Sequence, residues 1–136
     1  MAIIELCGWI EESMDDIILK CANRNLKEEN NKKFIEKEVV GRTYGFSYKN
    51  HFRNMMTTLI GLINNEILEK SLDPVKFQKL KSELGNLTQQ RNEEAHTHIK
   101  ITRRINAPSL TIIQFISIYE GLIDIEQKLK IMDKLK

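Results

Sequence analysis

Two prolines, six glycines, two cysteines and three histidines are all that 136 residues hold of those four types. So little proline and glycine argues against collagen-like, low-complexity and turn-dense β architectures, and favours long helices. There is no apolar run of the roughly 18 residues that a membrane span needs, and the first residues turn acidic (EESMDD) where a signal peptide stays apolar. A soluble cytoplasmic protein with no membrane partner is expected. Cys7 and Cys21 are 14 positions apart in what reads as one helix. That is about 21 Å at 1.5 Å per residue, too far for the Cα spacing of about 7 Å that a disulfide tolerates, so they are expected as buried, reduced thiols. The three histidines bring no third or fourth ligand to the His96-x-His98 pair, so neither a metal nor a cofactor is expected. With 21 Lys and Arg against 19 Asp and Glu the net charge is +2, and any nucleic-acid site must be local.

What is present is helical periodicity. Ile3, Leu6, Cys7, Ile10, Met14, Ile17, Ile18 and Cys21 recur at spacings of three and four, predicting an amphipathic helix over residues 2–24. A short helix is expected over 31–40 with Phe34, Ile35 and Val39 inward, ending at Gly41. The stretch GRTYGFSYKN, with two glycines and three aromatics, reads as a packed loop. Phe52, Met55, Met56, Leu59, Leu62, Ile63, Ile67 and Leu68 predict a second long helix over about 47–70.

Asp73-Pro74 is a helix start, because the Asp carboxylate accepts unpaired N–H groups and Pro loses nothing at the first helical position. The third long helix runs from there to about residue 98 along Phe77, Leu80, Leu84, Leu87 and Arg91, its character changing from aliphatic to polar. KITRRINAPS reads as a loop. The final segment, 109–134, is β-branched at its start, yet Ile112, Phe115, Ile116, Tyr119, Leu122, Ile123, Leu129 and Ile131 keep helical spacing. The expected fold is all-α: one domain over 1–136, an antiparallel bundle of four long helices and one short one.

The change of character on the third long helix marks the candidate site. Arg91 and His96 are five positions apart, about 140° around the axis, whereas Asn92 and His96 are four apart and share a face. One helix does not aim Arg91 and His96 at a single point, but two copies about a two-fold axis would. The plainer reading of such a pair is a hydrogen-bonded contact that fixes an interface without chemistry. Glu93 and Glu94 point about 100° apart and read as solvated faces, and His51 as a surface or loop-packing residue.

Arg91-Asn92-Glu93-Glu94-Ala95-His96 resembles the R-x4-H motif of the HEPN superfamily in its R-N-x-x-A-H form. The continuation AHTHIK, the NAPS loop, the final helix and the WIEES element of the first helix are similar to the RiboL-PSP-HEPN branch. The resemblance implies a helical homodimer and a metal-independent endoribonuclease, with both copies of the motif in a cleft between subunits. His96 would move protons and Arg91 would clamp the phosphate, since a guanidinium engages two phosphate oxygens at once. Asn92 would orient the imidazole or donate to the phosphate, and RNA would leave with 2′,3′-cyclic phosphate ends. Lys100, Arg103 and Arg104, with His98 beside the motif, form a basic patch expected to track RNA. His98 stands near where nucleotidyltransferase-paired members carry a modified Tyr, which argues against that form of control. Toxin–antitoxin, stress or phage-defence roles follow from the resemblance, with an antitoxin or larger effector as a possible partner. A non-catalytic HEPN adaptor that binds RNA, nucleotide or protein through the same cleft is the alternative.

Overall fold

The computed structural model describes residues 3–96 and 108–134, and every regular element among them is helical. α1 spans Ile3–Asn25. α2 spans Glu29–Phe34 and runs on through a π turn (Ile35–Val39) and a 3-10 turn (Val40–Arg42). A second π turn (Tyr48–Phe52) leads into α3, Arg53–Ser71, followed by α4, Pro74–His96, and α5, Pro108–Lys134. No helix among the described residues is long and apolar enough to cross a membrane.

The α1 stripe reads as expected: Ile3, Leu6, Cys7, Ile10, Met14, Ile17, Ile18 and Cys21 are all buried, and the two cysteines form no disulfide. α5 lies alongside α1 in the same direction. Trp9 packs on Phe115 at 4.7 Å between ring centroids, and at the other end Asp133 accepts hydrogen bonds from Arg24 (2.5 Å) and Asn25 (2.8 Å). α4 runs against α5, with Gln90 opposite Gln114, Leu80 opposite Gly121 and Asp73 opposite Asp124. The helices therefore do not all alternate in direction as expected. A Cβ on Gly121 would fall 2.7 Å from Leu80 Cβ, so the missing side chain is what lets α4 and α5 approach.

Asp73 behaves as its sequence context predicts, its Oδ1 accepting from the N–H groups of Val75 and Lys76. Its own N–H donates to Asp124, which also accepts from Lys128. Burial pushes the Asp124 carboxyl up, but the Lys128 ammonium and the Asp73 N–H outweigh it and hold it below the usual carboxylate range.

Three expectations are corrected. Phe34 is 52% exposed rather than inward, while Ile35 and Val39 carry the buried contact. The second long helix is broken. Arg53 Nε lies 3.2 Å from Glu69 Oε2 across 16 positions, where a straight helix would separate them by about 24 Å. The chain turns back at Gly61, whose φ of 85° and ψ of 158° lie where only glycine is at ease. Helical phase restarts there, so Leu62, Ile63 and Ile67 face outward and Asn65, Leu68 and Leu72 inward. The last correction is to α5, whose buried line is Gln114, Ile118, Leu122, Ile125 and Leu129, leaving Ile112, Ile116, Tyr119 and Ile131 exposed.

Two outcomes follow. Gly61→Ala places an L side chain on a backbone of positive φ and should lower stability by about 1–3 kcal/mol; a denaturant midpoint equal to wild type would show that the turn does not need glycine. Asp15 is pushed up to about 6 by burial and by Glu11, Asp16 and Glu12. Its raised pKa means the native state holds the proton more tightly than the unfolded chain, so its penalty is absent below about pH 4, grows between about 4 and 6, and is full above. Asp15→Asn should therefore stabilise by about 1 kcal/mol at pH 7, after allowing for solvent screening. Urea titrations at pH 4 and 7 should show that gain only at pH 7.

Candidate functional site

The site is built on α4. Leu80, Leu84 and Leu87 are buried at successive turns of one stripe, and the next position on that stripe is Arg91. Its side chain is exposed, and its guanidinium carbon stands 5.0 Å from the centre of the Phe46 ring. A cation over an aromatic face at such a site contributes about 0.5–1 kcal/mol. Arg91 thus caps the end of the aliphatic line with its stem and ring contact while its charge stays in water.

Phe46 is set by the loop before α3. Thr43 Oγ1 donates to the Val39 carbonyl at 2.7 Å, which closes the preceding turn. Gly45 has φ of 140°, and a Cβ there would collide with the His51 ring. That ring's Nδ1 lies 3.1 Å from the Ser47 N–H, which donates to it, and 2.7 Å from the Ser47 hydroxyl. Nδ1 is thus the ring nitrogen turned to the Ser47 backbone. The Ser47 hydroxyl also accepts from the Asn50 N–H, capping the π turn. His51 is thereby the loop-packing residue its context suggested. Phe46, left 2% exposed, is driven under Arg91.

Asn92 is exposed and follows Thr88 by one turn. Gln114 donates to Gln90 at 3.0 Å, joining the same end of α4 to α5. α4 carries His96 as its last residue; the His96 side chain, and His98, Lys100, Arg103 and Arg104 altogether, lie outside the described residues. The helical register nevertheless puts position 96 on the Asn92 face, about 140° from Arg91.

Against the middle of α4 is a cavity of about 220 Å³ lined by Ser47, Tyr48, Lys49, Lys81, Leu84, Gly85 and Thr88. Tyr48 is fixed in its wall: its hydroxyl donates to Glu69 at 2.5 Å, and its ring meets Phe77 edge-on at 5.1 Å. Burial and the Glu69 carboxylate hold the Tyr48 hydroxyl well above its ordinary range, against the opposing Arg53 charge. Among the described residues no carboxylate pairs with Lys49, Lys81 or Arg91. Neither the Phe46 seat nor this cavity was read from the sequence. The signals available were the aromatics of GRTYGFSYKN and Gly85, a lone glycine in a helix interior where alanine is preferred.

Compared with protein-family models, curated proteins and solved structures, the chain matches none.

Phe46→Leu keeps an apolar plug but removes the ring. In wild type the Arg91 side-chain protons should be shifted upfield by the ring current in NMR spectra, and in this variant they should return to random-coil positions. Identical shifts in the two proteins would show that the guanidinium does not sit on the ring.

Proposed function

We propose that this protein is a HEPN-like, metal-independent endoribonuclease acting as a homodimer, with Arg91, Asn92 and His96 as its catalytic residues. The observation that carries the proposal is the placement of the R-N-x-x-A-H sequence. It occupies the end of α4 where the buried leucine line stops and Arg91 and Asn92 are both exposed. A charged and an amide side chain offered to solvent at the end of a rigid helix are poised to meet a ligand from outside the subunit.

A second copy is favoured by the neighbouring face of α5. Ile112, Ile116 and Tyr119, at spacings of four and three, are exposed on one line, near where Gln114 meets Gln90 of α4. Burying them against their symmetry mates would remove apolar area from water at about 25 cal/mol per Å², and the two-fold would bring one α4 end toward the other.

In the reaction, the imidazole of His96 accepts the proton of a ribose 2′-hydroxyl as that oxygen bonds to the adjacent phosphorus. The bond from phosphorus to the 5′-oxygen breaks, and that oxygen takes a proton from the protonated His96 of the second subunit, giving a 2′,3′-cyclic phosphate and a 5′-hydroxyl. Arg91 neutralises the charge on the non-bridging oxygens, where two parallel N–H donors outperform a single ammonium. Asn92 donates to the phosphate or holds the ring from one turn below. Lys100, Arg103 and Arg104 carry the flanking strand, and His98 lies beside them in sequence. No metal takes part, and control by an antitoxin or a larger effector is in keeping with such an activity.

The test is purified protein on a panel of single-stranded RNAs in EDTA. Wild type should cleave, leaving 5′ ends that a kinase labels without prior dephosphorylation, while Arg91→Ala and His96→Ala should fall by at least about a hundredfold, the scale of a lost acid–base group. Ile116→Asp should run as a monomer in sedimentation and lose cleavage with it. Absence of cleavage across the panel, or His96→Ala cutting as well as wild type, refutes the enzyme; RNA bound equally well by wild type and His96→Ala, with no cleavage by either, would mark an adaptor instead.

A further inference from the structure

We infer that the cavity between the 47–49 segment and α4 is a binding subsite for one nucleotide of a single-stranded RNA, flanking the residues that cut it; this rests on the ribonuclease reading above. Lys81, Gly85 and Thr88 fall within about 60° of one another on α4, and Asn92 continues that sector one turn further. The cavity therefore opens along the same helix face that leads to the candidate catalytic residues, and a strand lying on Asn92 is carried directly into it.

Its chemistry suits a nucleotide. Leu84, the Tyr48 ring and the bare backbone of Gly85 make an apolar floor, while Lys49 and Lys81 stand exposed with no carboxylate partner among the described residues. Lys81 Nζ now rests 4.2 Å from the centre of the Phe77 ring, an attraction of about 0.5–1 kcal/mol that a phosphate readily replaces. The Thr88 hydroxyl donates to the Leu84 carbonyl at 2.9 Å and keeps its lone pairs open to a ribose hydroxyl. A volume of about 220 Å³ is below the range of roughly 300–1,000 Å³ that encloses a free drug-sized ligand, so it holds one unit of a chain whose remainder stays outside. An aromatic wall with lysines at the rim is the usual means of gripping a single strand without reading its sequence.

Gly85 allows a clean test, because a Cβ there meets nothing within 4 Å and leucine has a higher helix propensity than glycine. Gly85→Leu should therefore fold at least as well as wild type while filling the floor, and Lys49→Gln with Lys81→Gln removes the rim charge. Binding is read by fluorescence anisotropy on a short 2′-O-methyl RNA, which has no nucleophile and reports affinity apart from cleavage. Both variants should bind about tenfold more weakly. The double lysine variant should also flatten the plot of log affinity against log salt by about 1.4, at about 0.7 per phosphate on a single strand. If both bind with wild-type affinity and slope while wild type still cleaves natural RNA, the subsite is wrong and the enzyme stands. If wild type binds but never cleaves, and Gly85→Leu abolishes binding, the subsite stands without the enzyme. If wild type does neither, both fall together.

Discussion

Leucine packing along one stripe of α4 fixes everything at the working end of this chain. Leu80, Leu84 and Leu87 are at most 2% exposed, and full burial of each is worth about 1.5–3 kcal/mol. The next residue on that stripe, Arg91, gains less than a single leucine from its ring contact with Phe46. Arg91 does not hold α4 in place; α4, anchored by its leucines, holds Arg91. The guanidinium is therefore presented at a fixed height above the core with its charge unspent.

The remaining polar contacts lock the register of the helices that flank α4. Asp124 takes the Asp73 N–H and the Lys128 ammonium together, which ties the start of α4 to α5, while Asp133 ties the ends of α1 and α5. Glu69 does the same within α3, receiving both Tyr48 and Arg53, and so joins the turned-back half of that helix to the segment that walls the cavity. Asp124 and Glu69 each serve two donors on different elements, and Asp133 serves two neighbouring donors on α1. Exposed ion pairs of one donor and one acceptor contribute little; two donors on separate elements add geometric constraint, and here they set where the 47–52 turn lies against α4.

How much was legible in the sequence depends on whether a residue type has one structural meaning or two. Asp73-Pro74 has essentially one, and it starts α4 where expected. The α1 stripe was equally plain, because its partners bury the whole apolar face. Gly61 was not legible: a glycine within periodic residues fits a continuing helix as well as a reversal, and Leu62, Ile63 and Ile67 continue the old period by coincidence. The backbone at Gly61 and the pairing of Arg53 with Glu69 distinguish the two. The start of α5 misled for a related reason, since isoleucine and tyrosine lines look the same whether they face this subunit's core or outward. At the site, the hexapeptide spacing located Arg91 and Asn92, but the seat of Phe46 depends on a Gly45–His51 contact that no local pattern encodes.

Two faces of α4 are divided by angle. Its leucines and Arg91 lie on one stripe, and Lys81, Gly85, Thr88 and Asn92 lie on another about 100° around the axis. The first is nearly saturated with contacts, so changes there are felt as lost packing. The second tolerates an added Cβ at Gly85 without contact and leaves Lys81 with no carboxylate partner among the described residues. A helix selected for stability alone would place alanine at 85, gaining about 0.5–1 kcal/mol. The glycine there is understandable if the second stripe is kept open for a polyanion. Because the stripes are separate, binding along one can change without unfolding the other.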